Sequence, residues 1–311
     1  MNTATQHSDQ TLETSAVAKR IAASLRGAGA LLILPASVLV LVPDGWPRWT
    51  LMWLLAFAIY AGCKWLTWRR TTMAGVPCWR QLAYLLAWPG LDVETFLQPK
   101  TSVGKPPRLS EWSFAATKVA VGVLLVAVIA PHVPTTQPYV IGWVGMIGIV
   151  FTLHFGLFHI LSCSWRSVGI DATPLMDWPV LSGSVSEFWG RRWNRAFRDV
   201  THRFLFRPLT ARFGPRLAIG AGFAFSGLVH ELVITVPAGG GYGGPTLFFL
   251  IQAMGILAER SQIGRTVGLG DRFRGRLFTA GVVLLPLYFL FPPAFVIGII
   301  LPFLEFLGVV S

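Results

Sequence analysis

Apolar residues gather in eight runs along the chain, at roughly 28–42, 50–66, 114–130, 139–163, 217–236, 246–259, 277–291 and 294–310. Each approaches the length at which a helix of about 20 apolar residues crosses a bilayer. Several runs are short, or are interrupted by Pro35, Pro286 or Pro302. Short spans are tolerated where protein rather than lipid surrounds them. The pattern predicts an all-α integral membrane protein of about eight transmembrane helices.

The connections between runs fall into two classes. Basic residues crowd the N-terminus (Lys19, Arg20, Arg26) and the 64–80 connection (Lys64, Arg69, Arg70, Arg80), and they recur in 100–108, 166–216 and 260–276. The connections near 43–49, 131–138, 237–245 and 292–293 hold a single basic residue, Arg48. Eight crossings place every basic connection on one side. The positive-inside rule makes that side cytoplasmic, with both termini there. This threading keeps "LAYLLAWPGLDVETFL" (82–97) from crossing. It is apolar but holds Pro89-Gly90, Asp92 and Glu94, and reads as a re-entrant or interfacial segment.

Composition agrees. Hydrophobic residues make up 53% of the 311-residue chain and charged residues 13%, against roughly a quarter charged in soluble domains. No polar stretch is long enough to fold alone. The expected organisation is a polar cytoplasmic segment, 1–27, and one multi-pass domain, 28–311. The net charge of +12 is what basic membrane-flanking loops produce, so nucleic acid is not an expected partner. Cys63, Cys78 and Cys163 are widely spaced and odd in number, which suits neither a disulfide framework nor a zinc site. His154 and His159 are five apart and face different sides of a helix, so no metal is expected. Arginine outnumbers lysine, which hints at a bacterial source and hence a plasma membrane.

Soluble-looking chemistry gathers in the 164–216 connection. Ser184 and Glu187 have the spacing of a capping box. Beyond them Trp189, Trp193, Phe197, Val200 and Phe204 recur at helical spacing. Arg191, Arg195, Arg198 and His202 fall within about sixty degrees on the opposite face at 3.6 residues per turn. The expectation is one interfacial amphipathic helix over 186–207, with Asn194 on the border of its faces and Pro208 ending it. Its arginines either anchor the helix to anionic headgroups or receive a polyanion such as the phosphates of coenzyme A.

The fifth run contains "FSGLVHELVI" (225–234). His230 lies about 20 Å along a helix that starts near Arg216, past the middle of a roughly 30 Å hydrocarbon core. Lipid penalises His230 and Glu231, so both should face protein or a water-filled cavity. Gly220, Gly222 and Gly227 allow close approach, and Ser226 stands one turn before His230. A buried neutral imidazole can serve as a general base. The competing reading is a histidine satisfied by a neighbouring helix with Glu231 as partner.

Together "FWGRRWN" (188–194), "FLFRPL" (204–209) and "SGLVHEL" (226–232) resemble the membrane-bound O-acyltransferase superfamily, most nearly its wax synthase branch. The close match covers roughly 184–236, and "YLLAWPGLD" (84–92) is similar to bacterial wax-synthase-like members. The resemblance implies transfer of an acyl group from acyl-CoA, as co-substrate, to an alcohol hydroxyl. It implies a catalytic histidine within the membrane at His230 and a polar partner at Asn194, with Glu231 and Ser226 in support. Trp193, Arg191, Arg192, Arg195 and Arg198 would then receive acyl-CoA. Sterol and diacylglycerol acyltransferases carry a histidine four residues after the asparagine, where this chain has Arg198. That departure leaves the acceptor open. A lipid-soluble alcohol is expected, with short-chain acylation of a terpenoid, polyketide or sugar hydroxyl as the alternative. A transporter or proton relay using His230 and Glu231 would show paired broken helices in repeated halves, and no such repeat is visible.

Overall fold

The computed structural model describes residues 27–71, 75–98, 106–270 and 272–310. The expected N-terminal polar segment lies outside them but for residue 27. Every regular element among the described residues is helical. Eight helices stand where the apolar runs stand: α1 (Gly29–Leu41), α2 (Arg48–Arg69), α3 (Leu109–His132), α4 (Pro138–Ser167), α5 (Pro215–Ala238), α6 (Gly244–Arg260), α7 (Phe273–Leu290) and α8 (Pro293–Phe306). Five of them (α2, α3, α4, α5 and α7) are long and apolar enough to cross a membrane. Large apolar side chains face outward along the bundle, among them Val40, Phe57, Leu228, Met254 and Leu285. Helices apolar on every side suit lipid surroundings.

The two classes of connection separate in space. At one end Arg48 donates to the Pro237 carbonyl, Gly241 lies against Pro292, and Gly244 against Phe289. At the other end Arg166 and His159 meet Glu111, Arg203 pairs with Glu94, and Trp165 donates to the Ala87 carbonyl. All the described basic connections therefore share one end of the bundle, as the threading predicts.

Helices α1 to α7 run between these ends, and α8 departs from the expected eighth crossing. Its first residues neighbour Gly240 and Gly241. Near its other end Phe303 and Phe306 pack on Trp49, at 5.2 and 4.7 Å between ring centroids. Trp49 lies in the first turn of α2, so both ends of α8 lie at the weakly basic end. The last residues of α8 thus lie at the weakly basic end.

The 78–97 segment keeps to the basic end, as two short helices (Cys78–Ala87 and Val93–Leu97) around an extended stretch. Lys64, buried in α2, holds it in place. Its Nζ donates to the Tyr84 carbonyl at 2.8 Å and to the Gly90 carbonyl, and lies 3.5 Å from the Tyr84 ring centroid. Tyr60 Oη donates to the Trp88 carbonyl at 2.9 Å. A lysine Nζ inside a membrane span persists only with such partners. Lys64→Met strips two buried carbonyls of their donor, at about 1–3 kcal/mol each. A clear fall in the melting temperature of the protein in detergent is expected. An unchanged melt would contradict this role.

Candidate active site

The motif segment is not one helix. A turn starting at Val185 continues to Arg192, then the chain breaks. Trp193 is extended, and Asn194 takes a left-handed conformation with φ 41°. A second helix starts at Arg195, and helical structure runs on to Phe213. Pro208 ends nothing; helical structure continues through it to Phe213. The break arises because Asn194 is both tolerant of positive φ and an N-cap. Its Oδ1 accepts from the Phe197 N–H at 3.3 Å. Periodicity counts straight through such a residue, and the single amphipathic helix is overturned for that reason.

The break is fastened to the preceding loop. Asp177 N–H donates to the Arg192 carbonyl at 2.8 Å, and Arg195 N–H to the Leu175 carbonyl at 3.0 Å. The Arg192 guanidinium reaches Glu187 and the Asp177 carbonyl. The Gly183 N–H and the Arg192 guanidinium hold the Glu187 carboxyl below its usual range. The capping box is half present: Ser184 Oγ accepts from Glu187 N–H at 3.0 Å, while the Glu187 carboxylate takes the Gly183 N–H. The expected arginine stripe is divided accordingly. Arg191 is exposed before the break, Arg192 is committed to the clamp, and Arg195 and Arg198 lie beyond it. Arg198 pairs with Asp199 at 2.7 Å, yet its Nε is buried with no partner among the described residues. Trp193 stacks on Phe188, with centroids 5.5 Å apart.

His230 closes the regular part of α5. Its Nδ1 lies 2.7 Å from the Ser226 carbonyl oxygen. A carbonyl only accepts, so Nδ1 carries the proton and neutral His230 presents an unprotonated Nε2. Ser226 contributes this carbonyl, because its hydroxyl is turned back to the Gly222 carbonyl at 3.1 Å. Glu231 turns elsewhere and is not the imidazole's partner. Its Oε1 accepts from Thr246 N–H and Oγ1 at 3.0 and 2.9 Å, and its Oε2 from Thr235 Oγ1 at 2.6 Å. Thr246 is the third residue of α6, so the carboxylate caps that helix from α5, where a negative charge is favoured.

The glycines divide by role. A Cβ at Gly227 would stand 2.7 Å from the Thr246 Cα, whereas nothing lies within 4 Å of one at Gly220 or Gly222. Gly227 therefore serves the α5–α6 crossing, and the other two border open space. The expected slot formed by all three with the Ser226 hydroxyl is not what the helix presents.

Sequence reasoning missed α6 as the organiser. Its Thr246 receives Glu231. Phe249 lies against His230, with centroids 4.5 Å apart, and against Trp189 of the motif segment at 5.6 Å. Gln252 Oε1 accepts from Trp189 Nε1 at 3.2 Å. Glu259 accepts from the Val185 and Ser186 N–H groups at 2.7 and 2.9 Å. Polar residues spaced six and seven apart along an apolar run were the available signal. His230 and Trp189 thus share Phe249. No hydrogen bond joins Asn194 to His230 among the described residues. Asn194 is linked to the region through its helix, whose Ala196, Phe197 and Val200 pack in the same core as Val229, Leu232 and Val233.

Glu111, His159 and Cys163 place ligand atoms within 4.8 Å of one another. Lys118 Nζ, however, lies 2.8 Å from His159 Nδ1, and Arg166 pairs with Glu111. Two resident cations oppose a third, so the cluster reads as an ion network. The three cysteines are unpaired.

The site is therefore a helical membrane protein's interior histidine, reached by an aromatic motif segment and braced by a capping glutamate. Residues 172–251, which hold all of these groups, match the membrane bound O-acyl transferase family. The probable long-chain-alcohol O-fatty-acyltransferase 8 of Arabidopsis thaliana is 28% identical over 133 residues, 40% of either chain. The long-chain-alcohol O-fatty-acyltransferase of Simmondsia chinensis is 30% identical over 101 residues, 28% of this chain and 29% of that one. The acyl-CoA–sterol O-acyltransferase 1 of Arabidopsis thaliana is 30% identical over 92 residues, 26% and 27%. The match thus spans about 40% or less of these relatives' length. The motif-bearing segment is similar to the membrane bound O-acyl transferase family and to these long-chain-alcohol and sterol acyltransferases.

Asn194 gives a local test. Asn194→Ala loses the cap, about 1 kcal/mol, and forces alanine into a left-handed conformation at roughly 1–2 kcal/mol. Asn194→Gly keeps the conformation at a few tenths. The alanine variant should melt clearly below the glycine variant, and equal melts would contradict the structural role.

Proposed function

We propose that the chain is a membrane-embedded O-acyltransferase that moves an acyl group from acyl-CoA to an alcohol hydroxyl, making a wax-type ester. The observation that carries this reading is the tautomer of His230: a half-buried imidazole with Nδ1–H spent on its own helix and Nε2 free to act as base.

Nε2 of His230 takes the proton of the alcohol hydroxyl as its oxygen attacks the thioester carbonyl. The tetrahedral intermediate collapses to the ester and expels the CoA thiolate, which recovers the proton from the imidazolium. Products are ester and free CoA, and neutral His230 is restored. The Asn194 Nδ2 makes no hydrogen bond among the described residues and is the group available to stabilise the oxyanion. The basic end is cytoplasmic by the positive-inside rule. Arg191, Arg195 and Arg198 meet the CoA phosphates there, with Trp193 beside them, while Arg192 keeps the loop shaped. Glu231 holds α6, and with it Phe249, against the histidine. Closure against water suppresses thioester hydrolysis.

The relatives' names speak of long-chain alcohols and a sterol, which supports a lipid-soluble acceptor here. Mass spectrometry of lipids from cells expressing the protein should reveal new fatty esters relative to an empty-vector control. An unchanged lipid profile in cells fed long-chain alcohol would overturn the substrate class.

A further inference from the structure

A second histidine lies inside the bundle. His154 stands on α4 thirteen residues before its end at Ser167, and its Nδ1 is buried with no hydrogen-bond partner among the described residues. Buried polar atoms in native proteins almost always have a partner, so an orphan of this kind needs something to meet it. The surroundings indicate what. His154, Phe158, Leu161 and Trp165 follow at four, three and four residues and line one strip of α4. Phe158, Leu161 and Trp165 pack in the core that also takes Val229, Leu232 and Val233, chain neighbours of His230. The His154 ring sits against Phe158, with centroids 5.4 Å apart. Its chain neighbour Phe155 meets Trp193 of the motif segment edge-on at 5.9 Å. On the far side of α4, Gly156 lies against Val119 of α3, so the His154 strip is the one turned to the interior. One ring nitrogen is thus offered, unpaired, on the strip that packs with the chain neighbours of His230.

We propose that His154 is a positioning residue for the acceptor, holding the alcohol hydroxyl by a hydrogen bond through Nδ1 while His230 takes its proton. This rests on the acyltransferase reading above. The chemistry favours the alcohol over the thioester. A hydroxyl can both donate and accept, so it pairs with Nδ1 in either tautomer, whereas a thioester carbonyl pairs with one alone. A nitrogen deep in an apolar core is also where a lipid-dissolved alcohol is met, away from the basic connections that suit CoA.

The test uses the full-length protein in vesicles with 1-hexadecanol and palmitoyl-CoA. His154→Phe should raise KM for the alcohol about tenfold, as expected for one lost hydrogen bond, with kcat and KM for palmitoyl-CoA within twofold. His154→Gln, which keeps a polar group, should recover most of the alcohol affinity. His154→Ala gives the same readout if the phenylalanine variant does not fold. An unchanged alcohol KM overturns the proposal, and so does a loss of kcat like that of a missing base. A lower melting temperature with unmoved kinetics means that Nδ1 serves a structural water, and also overturns it. Binding is read separately from turnover. Hexadecanol should raise the melting temperature of the wild type and of His230→Ala, but not of His154→Phe. If the wild type forms no ester yet hexadecanol binds in this His154-dependent way, the reaction reading fails and the alcohol site stands.

Discussion

His230→Ala is expected to lower the rate of ester formation by about 10²–10⁴-fold, the usual contribution of a positioned general base. Protein level and CoA binding should stay near wild type, because the ring bonds only to a carbonyl of its own helix. That carbonyl lies inside a helix and also serves the backbone, so its loss of one donor costs little. His230→Gln is the sharper variant. It can hold a hydrogen bond in the same place but cannot take a proton at neutral pH, and it should be as inactive as alanine. Initial rates with acyl-CoA and long-chain alcohol in vesicles decide the matter. A near wild-type rate in either variant would remove His230 from the chemistry.

Glu231→Ala should instead destabilise the protein. The carboxylate accepts three hydrogen bonds from Thr235 and Thr246, and bonds to charged groups contribute about 1.5–3 kcal/mol each. It also meets the positive end of α6, worth up to about 2 kcal/mol in partly buried geometry. Removing a charge from the interior offsets part of this, so a net loss of about 3 kcal/mol is expected, larger than for His230→Ala. Activity should fall as well, because α6 carries Phe249 against both His230 and Trp189. Glu231→Gln keeps one acceptor oxygen and should lie between. Melting in detergent with parallel activity assays separates the two neighbours: a chemical role for His230 and an architectural one for Glu231. Equal melts for Glu231→Ala and wild type would contradict the capping role.

Much of this fold is visible in the chain because apolar length and basic loops are strong, local signals. The helix positions follow the eight apolar runs, and the partition of basic connections follows their spacing along the chain. The failure at α8 is one of course. Pro293 to Phe306 reads as a span by composition, yet its aromatic contacts to Trp49 bring its far end back to the end where it began. In the site, the polar residues inside an apolar run, His230 and Glu231, could be picked out by their desolvation cost alone. Their partners could not. Ser226 acts through its carbonyl, which no side-chain inventory foretells, and Glu231 caps a helix that begins thirteen residues later. Asn194 broke the helix that its neighbours' periodicity predicts, because a left-handed cap depends on the loop it docks against.

The most direct measurement of the central claim is product stoichiometry with the purified protein in vesicles. Labelled palmitoyl-CoA and 1-hexadecanol are supplied together, and ester and free CoA are quantified by mass spectrometry. The account predicts ester and CoA in equal amounts, both requiring His230. Release of CoA with fatty acid and no ester, or no turnover with any alcohol and acyl-CoA length, would contradict it.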